Sequence, residues 1–149
     1  MPFDSFPQKT DPSESVFRGI SRSQYKPTLD EVDWRAFDIR ESGKDDNGIS
    51  VMRRGERSTS EMVQILHKSL LCFVSVEAVR KIDVTKQPAL RGYVGSGFDV
   101  ENAPIEFDTL HALIVGTPVG AAPRITRIRA SELLAEIASV KVESTPDSS

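Results

Sequence analysis

Two side chains of this chain are suited by type and placement to do chemistry. Arg18 lies in the apolar segment Ser15-Val16-Phe17-Arg18-Gly19-Ile20-Ser21. His111 opens the run His111-Ala112-Leu113-Ile114-Val115, shortly after Glu106 and Asp108. A histidine beside carboxylates at a strand end can act as general acid or base, and an arginine can hold a phosphate. Together they predict a small enzyme for a nucleotide-like or phosphorylated substrate, on the condition that both face one cleft. A structural histidine with its hydrogen bonds satisfied is the competing reading of His111.

Further arginines fall in two groups. Arg53, Arg54 and Arg57 share one loop, and Arg124, Arg127 and Arg129 share another before the last helix. If the groups converge they form a patch for phosphate groups, which would make the protein a nucleic-acid binder. Against that stand 22 acidic and 19 basic residues, a net charge of -3, and no aromatic interleaving of a recognised binding module.

The order Arg18, Ser58-Thr59-Ser60, then Glu77, Glu101 and Glu106 is similar to the arginine, Ser-Thr-Ser, glutamate order of ADP-ribosyltransferases. That resemblance implies an arginine gripping the phosphates of NAD, a serine motif bracing a strand, and a glutamate steering the ribose. The sequence departs from the pattern in two places. Ser58 to Ser60 reads as a helix cap, and no Glu/Gln-x-Glu pair occurs.

Other chemistries find less support. His67 and His111 are far apart and neither belongs to a zinc-spacing motif, so no metal is expected. Cys72, the single cysteine, sits within Leu70-Leu71-Cys72-Phe73-Val74 and reads as a small buried hydrophobe. Gly92-Tyr93-Val94-Gly95-Ser96-Gly97 and Val115-Gly116-Thr117-Pro118-Val119-Gly120 lack the lysine and the following helix of a phosphate cradle, so no cofactor is expected either. There is no apolar stretch of membrane-spanning length and no secretory signal, and a disulfide within the chain is impossible. The expectation is a cytoplasmic protein without membrane partners.

The elements that must position these residues follow from periodicity. Residues 1–14, rich in Pro, Ser and Asp, predict a disordered leader, although Phe3 and Phe6 could dock on the domain or on a partner. Residues 143–149 predict a disordered tail, and 15–142 a single domain. In the first strand Val16, Arg18 and Ile20 share one face and Phe17 and Gly19 the other. Trp34 to Arg40 reads as a strand, joined as a hairpin through the Asn47-Gly48 turn to Ile49-Ser50-Val51-Met52. Ser58 or Thr59 caps a helix carrying Met62, Ile65 and Leu66. Leu70 to Val76 is a buried strand, and Glu77 to Ile82 one helical turn. Lys86 to Asn102 reads as a long loop with a short strand at Gly92-Tyr93-Val94. Ser131 caps a last helix with Leu133, Leu134, Ile137 and Ala138 on its apolar face.

The expected class is α+β, a small, mostly antiparallel or mixed sheet with about two packed helices. The leading functional expectation is a non-enzymatic binding or accessory protein. It would work through protein–protein contacts or self-association, using the Lys86–Asn102 loop and the arginine loops.

Overall fold

A computed structural model describes residues 8–68 and 70–142 of the chain. Residues 1–7 of the expected leader, with Phe3 and Phe6, and the expected tail 143–149 lie outside the described residues. The strands and helices are β1 (Gln8–Lys9), β2 (Ser15–Ile20), β3 (Tyr25–Lys26), β4 (Glu31–Val32), β5 (Ile49–Arg53), α1 (Thr59–Leu66), β6 (Leu70–Ser75), α2 (Val76–Arg80), β7 (Asp99–Asn102), β8 (His111–Val115), α3 (Arg124–Glu136) and β9 (Ser139–Val142).

The class is α+β. Seven strands form one antiparallel sheet in the order β1-β7-β8-β5-β2-β6-β9, while β3 and β4 make a separate ribbon. The sheet is strongly curled. In a flat sheet β6 and β7, four steps apart, would be separated by about 19 Å. Yet α2, which continues directly from β6 and spans only about 7.5 Å, reaches β7. Its Arg80 donates from Nη2 to Val100 O at 3.2 Å and from Nε to Asp99 Oδ1 at 2.6 Å. Curling brings the two edges of the sheet under one short helix.

Register assigns every strand residue to a face. Val16 pairs with Val74, Val51 with Ala112, and Val100 with Ile114, so these side chains line the concave side. Val76 and Val79 of α2, Leu133 and Leu134 of α3, Phe37, Ile39, Leu90 and Phe98 fill that hollow. The outer side is apolar over a smaller area. There Phe17, Met52 and Leu71 are covered by Met62 of α1. A sheet wrapped around one core leaves little apolar area on its back, and an eight-residue helix suffices to cover it.

Local signals explain much of the path. Ser58 and Glu61 form a reciprocal capping box at the start of α1, and His67 ends that helix in the left-handed conformation at φ 57°. Ile49–Arg53, Leu70–Ser75 and His111–Val115 stand where alternation and apolar runs place strands.

Four expectations need correction. Trp34–Phe37 is a 3-10 turn, begun by Asp33 accepting from Arg35 N. The hairpin across Asn47-Gly48 therefore does not form, and β5 pairs with β2 and β8 instead. The last helix starts at Arg124 directly after Pro123, and Ser131 lies inside it. The Ser131 hydroxyl is spent on Phe37 O at 2.7 Å and Arg127 O at 3.0 Å. The stretch Lys86–Asn102 begins on the last residue of a 3-10 turn at Val84–Lys86 and holds a second at Pro88–Leu90 and then β7, with no strand at residues 92–94. Finally, Gln8 and Lys9 of the expected leader belong to the sheet. Gln8 and Lys9 pair with Asn102 and Glu101, buried Thr10 donates to Asn102 Oδ1 at 2.7 Å, and Arg80 holds Thr10 O at 2.6 Å.

Candidate functional site

Arg18 and His111 do not meet. Arg18 is opposite Cys72 in the ladder and faces the concave side. His111 is opposite Met52, which is opposite Phe17, and so faces outward. The sheet stands between them, and an enzyme that needs both in one cleft is ruled out by this geometry.

Each has a structural task instead. Arg18 donates from Nε to Ala36 O at 2.7 Å and from Nη1 to Ser50 O at 2.5 Å, with its guanidinium 6.0 Å from the centre of the Phe37 ring. It therefore ties the 3-10 turn at residues 34–37 to the sheet. Burial pulls the Arg18 pKa down, partly opposed by Cys72, Asp45 and Asp38. Burial also pushes the facing Cys72 thiol up to about 12, which leaves it protonated and unreactive.

His111 Nδ1 lies 2.8 Å from Ala103 O, a group that can only accept, so Nδ1 carries the proton. In the neutral ring Nε2 then accepts from Ser50 Oγ at 3.2 Å. The Ser50–His111 distance resembles that of a nucleophile–base pair. However, the third group is a neutral carbonyl in place of a carboxylate, and both residues stand on paired strands of the sheet rather than on an exposed turn.

The ADP-ribosyltransferase-like residues are equally dispersed. Ser58 caps α1, Glu77 pairs with Lys81 on α2 at 3.0 Å, Glu101 is on the outer side of β7, and Glu106 is at a turn. None of them joins Arg18 on the concave side.

The two arginine groups also lie apart. Arg127 donates to Ala122 O and Ile39 O, both at 3.1 Å, anchoring α3 on the concave side, while Arg124 is exposed at the start of that helix. Arg53 ends β5 as the ladder partner of Val16, and Arg54 and Arg57 follow in the loop before α1. Arg53 makes a two-pronged pair with Glu14 at 2.9 and 3.0 Å, and Arg57 pairs with Asp108 at 2.9 Å. Burial raises the Asp108 pKa, but the Arg57 guanidinium and the Leu110 N–H outweigh it and hold the carboxyl below its usual range. Arg57 Nη1 is buried without a hydrogen-bond partner among the described residues.

Arg54 differs from its neighbours. Its bonds go to neutral oxygens, Arg57 O and Thr59 Oγ1, both at 2.9 Å, and its guanidinium stands 5.5 Å from the centre of the Phe17 ring. Among the described residues it has no carboxylate partner. Phe17 and Phe73, with ring centres 5.4 Å apart, form the floor of a groove of about 460 Å³ flanked by Arg53 and Arg54 and closed by Glu14, Ser15 and Gly55. Register makes the groove, because Phe17 and Phe73 are direct cross-strand partners on the outer face. The capping box then places Thr59 where it fixes Arg54 above them.

A second groove of about 450 Å³ lies between β4 and α3. Its acidic groups are largely committed, Asp30 to Tyr25, Asp33 to Arg35, and Glu132 and Glu136 to Arg129. Of its lining residues the sequence singled out Trp34, Arg129 and Ala138, but nothing in it brings them to one groove. In the first groove the sequence pointed to the arginines but not to their aromatic floor, because Phe17 and Phe73 are distant in the chain.

No helix among the described residues is long and apolar enough to cross a membrane, and no group of three or more His, Cys, Asp or Glu residues there could hold a metal ion. No family model, curated protein or solved structure matches this chain.

Proposed function

We propose that the protein is a non-enzymatic binding module whose recognition site is the groove over Phe17 and Phe73. Its partner would be a protein segment presenting an apolar side chain beside a carboxylate. The observation that carries this reading is Arg54, a cation with no carboxylate partner among the described residues, held over an aromatic floor. An apolar group entering the groove removes the exposed part of Phe73 from water, and a carboxylate at its rim completes a charge-assisted bond to Arg54. The volume is in the range of small recognition pockets.

Charge accounting favours a protein segment over nucleic acid. Arg53 and Arg57 are neutralised by Glu14 and Asp108, which leaves Arg54 alone of the three unmatched among the described residues, and tight backbone binding of nucleic acid uses several phosphate contacts.

The test is a titration of the uniformly labelled full chain, followed by amide and arginine Nε resonances. One ligand is a short peptide with adjacent glutamate and phenylalanine, another the same peptide with lysine for glutamate, and a third a single-stranded oligonucleotide. The expected result is movement of Arg54, Phe73 and Gly55 signals with the acidic peptide alone, abolished by Arg54→Glu. Silence of these signals at millimolar peptide overturns the reading, as does preference for the oligonucleotide. Turnover of NAD or a nucleotide by the pure protein would overturn its non-enzymatic half.

A further inference from the structure

We infer that the occupant of the groove is a second copy of this chain, inserting the tip of its β7–β8 hairpin; this rests on the reading of the groove given above. The tip is a two-residue turn closed by reciprocal bonds, Ile105 N to Asp108 O at 3.0 Å and Asp108 N to Ile105 O at 3.1 Å, with Glu106 and Phe107 at its centre. Phe107 is 89% exposed, the largest value among the exposed large apolar side chains, and Ile105 beside it is 47% exposed.

This exposure is rigidly held. Asp108 accepts from Leu110 N and Arg57 Nη2, both at 2.9 Å, and its carbonyl accepts from His111 N at 3.2 Å. An aromatic ring kept in water on an anchored turn has lost little further entropy when it docks, which is how anchor residues of interfaces behave.

The two surfaces match in chemistry. The groove offers an aromatic floor beside Arg54, which has no carboxylate partner among the described residues. The hairpin offers a phenylalanine beside Glu106, an exposed carboxylate with no cationic partner among the described residues. Opposite unmatched charges, each next to an aromatic group, are self-complementary.

Their arrangement suits a closed pair. The groove loop and the hairpin are stitched together at the same end of the sheet: Arg53 N donates to Leu110 O at 2.8 Å, and a Cβ on Gly55 would stand 2.7 Å from Leu110 Cδ1. With donor and acceptor surfaces side by side, a two-fold axis can fill both grooves at once. The two phenylalanines alone would bury roughly 300–500 Å². That is well below a standard interface of about 1,600 Å², so association should be reversible and concentration-dependent.

The experiment is sedimentation of the full chain over a concentration series, with circular dichroism to verify folding of each variant. The wild type is expected to move from 16.5 kDa towards twice that mass. Phe107→Ser and Glu106→Arg, at an exposed tip where folding is insensitive, should each weaken association roughly tenfold or more. Arg54→Glu should do the same. Mixing the Arg54→Glu chain with the Glu106→Arg chain should restore pairing, because both contacts then join opposite charges; loss of structure in either variant could not produce that rescue. A monomer at millimolar concentration, association indifferent to Phe107→Ser, or failure of the mixture to pair would each overturn the inference. A monomeric chain whose groove still binds the acidic peptide would refute self-association while sparing the groove. Failure of both removes both.

Discussion

Replacing Arg18 with methionine separates a structural arginine from an anion-binding one. The substitution keeps an apolar stem against the core but removes the donors to Ala36 O and Ser50 O. Two hydrogen bonds from a charged donor are worth about 3–6 kcal/mol before compensation. Removing a partly buried guanidinium returns some of its desolvation cost, so the net loss is about 2–4 kcal/mol. For a domain of this size 1 kcal/mol corresponds to about 2–4 °C, which gives a fall in Tm of roughly 4–16 °C. Urea and thermal melts by far-ultraviolet circular dichroism measure it. The sole tryptophan, Trp34, begins the 3-10 turn that Arg18 holds through Ala36, so its emission reports whether that turn loosens first. A variant with unchanged or higher Tm would refute the structural assignment. That outcome is what a functional site held at a cost to stability produces.

Other outcomes follow from the same contacts. With its pKa pushed to about 12, Cys72 is thiolate to only about one part in ten thousand at pH 8, so alkylation by iodoacetamide should require unfolding and its rate should track urea concentration. Gly116→Ala should cost more than about 2 kcal/mol, since φ is +82° and the new methyl runs into the Gly97 carbonyl. Gly92→Ala, at φ +85° in open space, should cost only about 1–2 kcal/mol by chemical denaturation. Asp99 is raised by burial but lowered more by Lys9, Arg80 and the Val100 N–H, and Asp108 is likewise held low. Because both folded values lie below the unfolded value of about 3.9, these carboxylates stabilise the fold fully above that pH, and their contribution is lost as pH falls through the folded values. Stability should therefore be flat from pH 7 to about 5 on their account and decline below about 4. Asp108→Asn should remove part of that decline, as read from urea midpoints across pH.

The legible part of the fold was local. The capping box at Ser58 and Glu61, the apolar runs at residues 70–75 and 111–115, and the alternation of Val16, Arg18 and Ile20 depend on neighbours within one turn or one pleat. A sequence window holds all of that information. The mixed alternation of Trp34–Phe37 carries little information, and the deciding contacts of this 3-10 turn come from Arg18 and Ser131, residues in other elements. β1, β7 and β9 are not legible in the sequence, because segments of two to four residues with at most two valines acquire strand geometry only from a partner's hydrogen bonds.

For the site, the sequence alone identified which residues carry charge and which carry a titratable ring. It also made Arg18 and Phe17 occupants of opposite faces, since alternation along a strand is a local rule. Whether Arg18 shares a face with His111 depended on the register of three strands, β2, β5 and β8, and a one-residue slip would invert the answer. Tertiary structure alone placed Arg54 over Phe17 with Phe73 beside it, and set Glu106 and Phe107 in water at the same end of the sheet. The reason is physical: a charge becomes available for recognition only after its neighbours have claimed theirs, and Glu14 and Asp108 reach Arg53 and Arg57 across long stretches of chain.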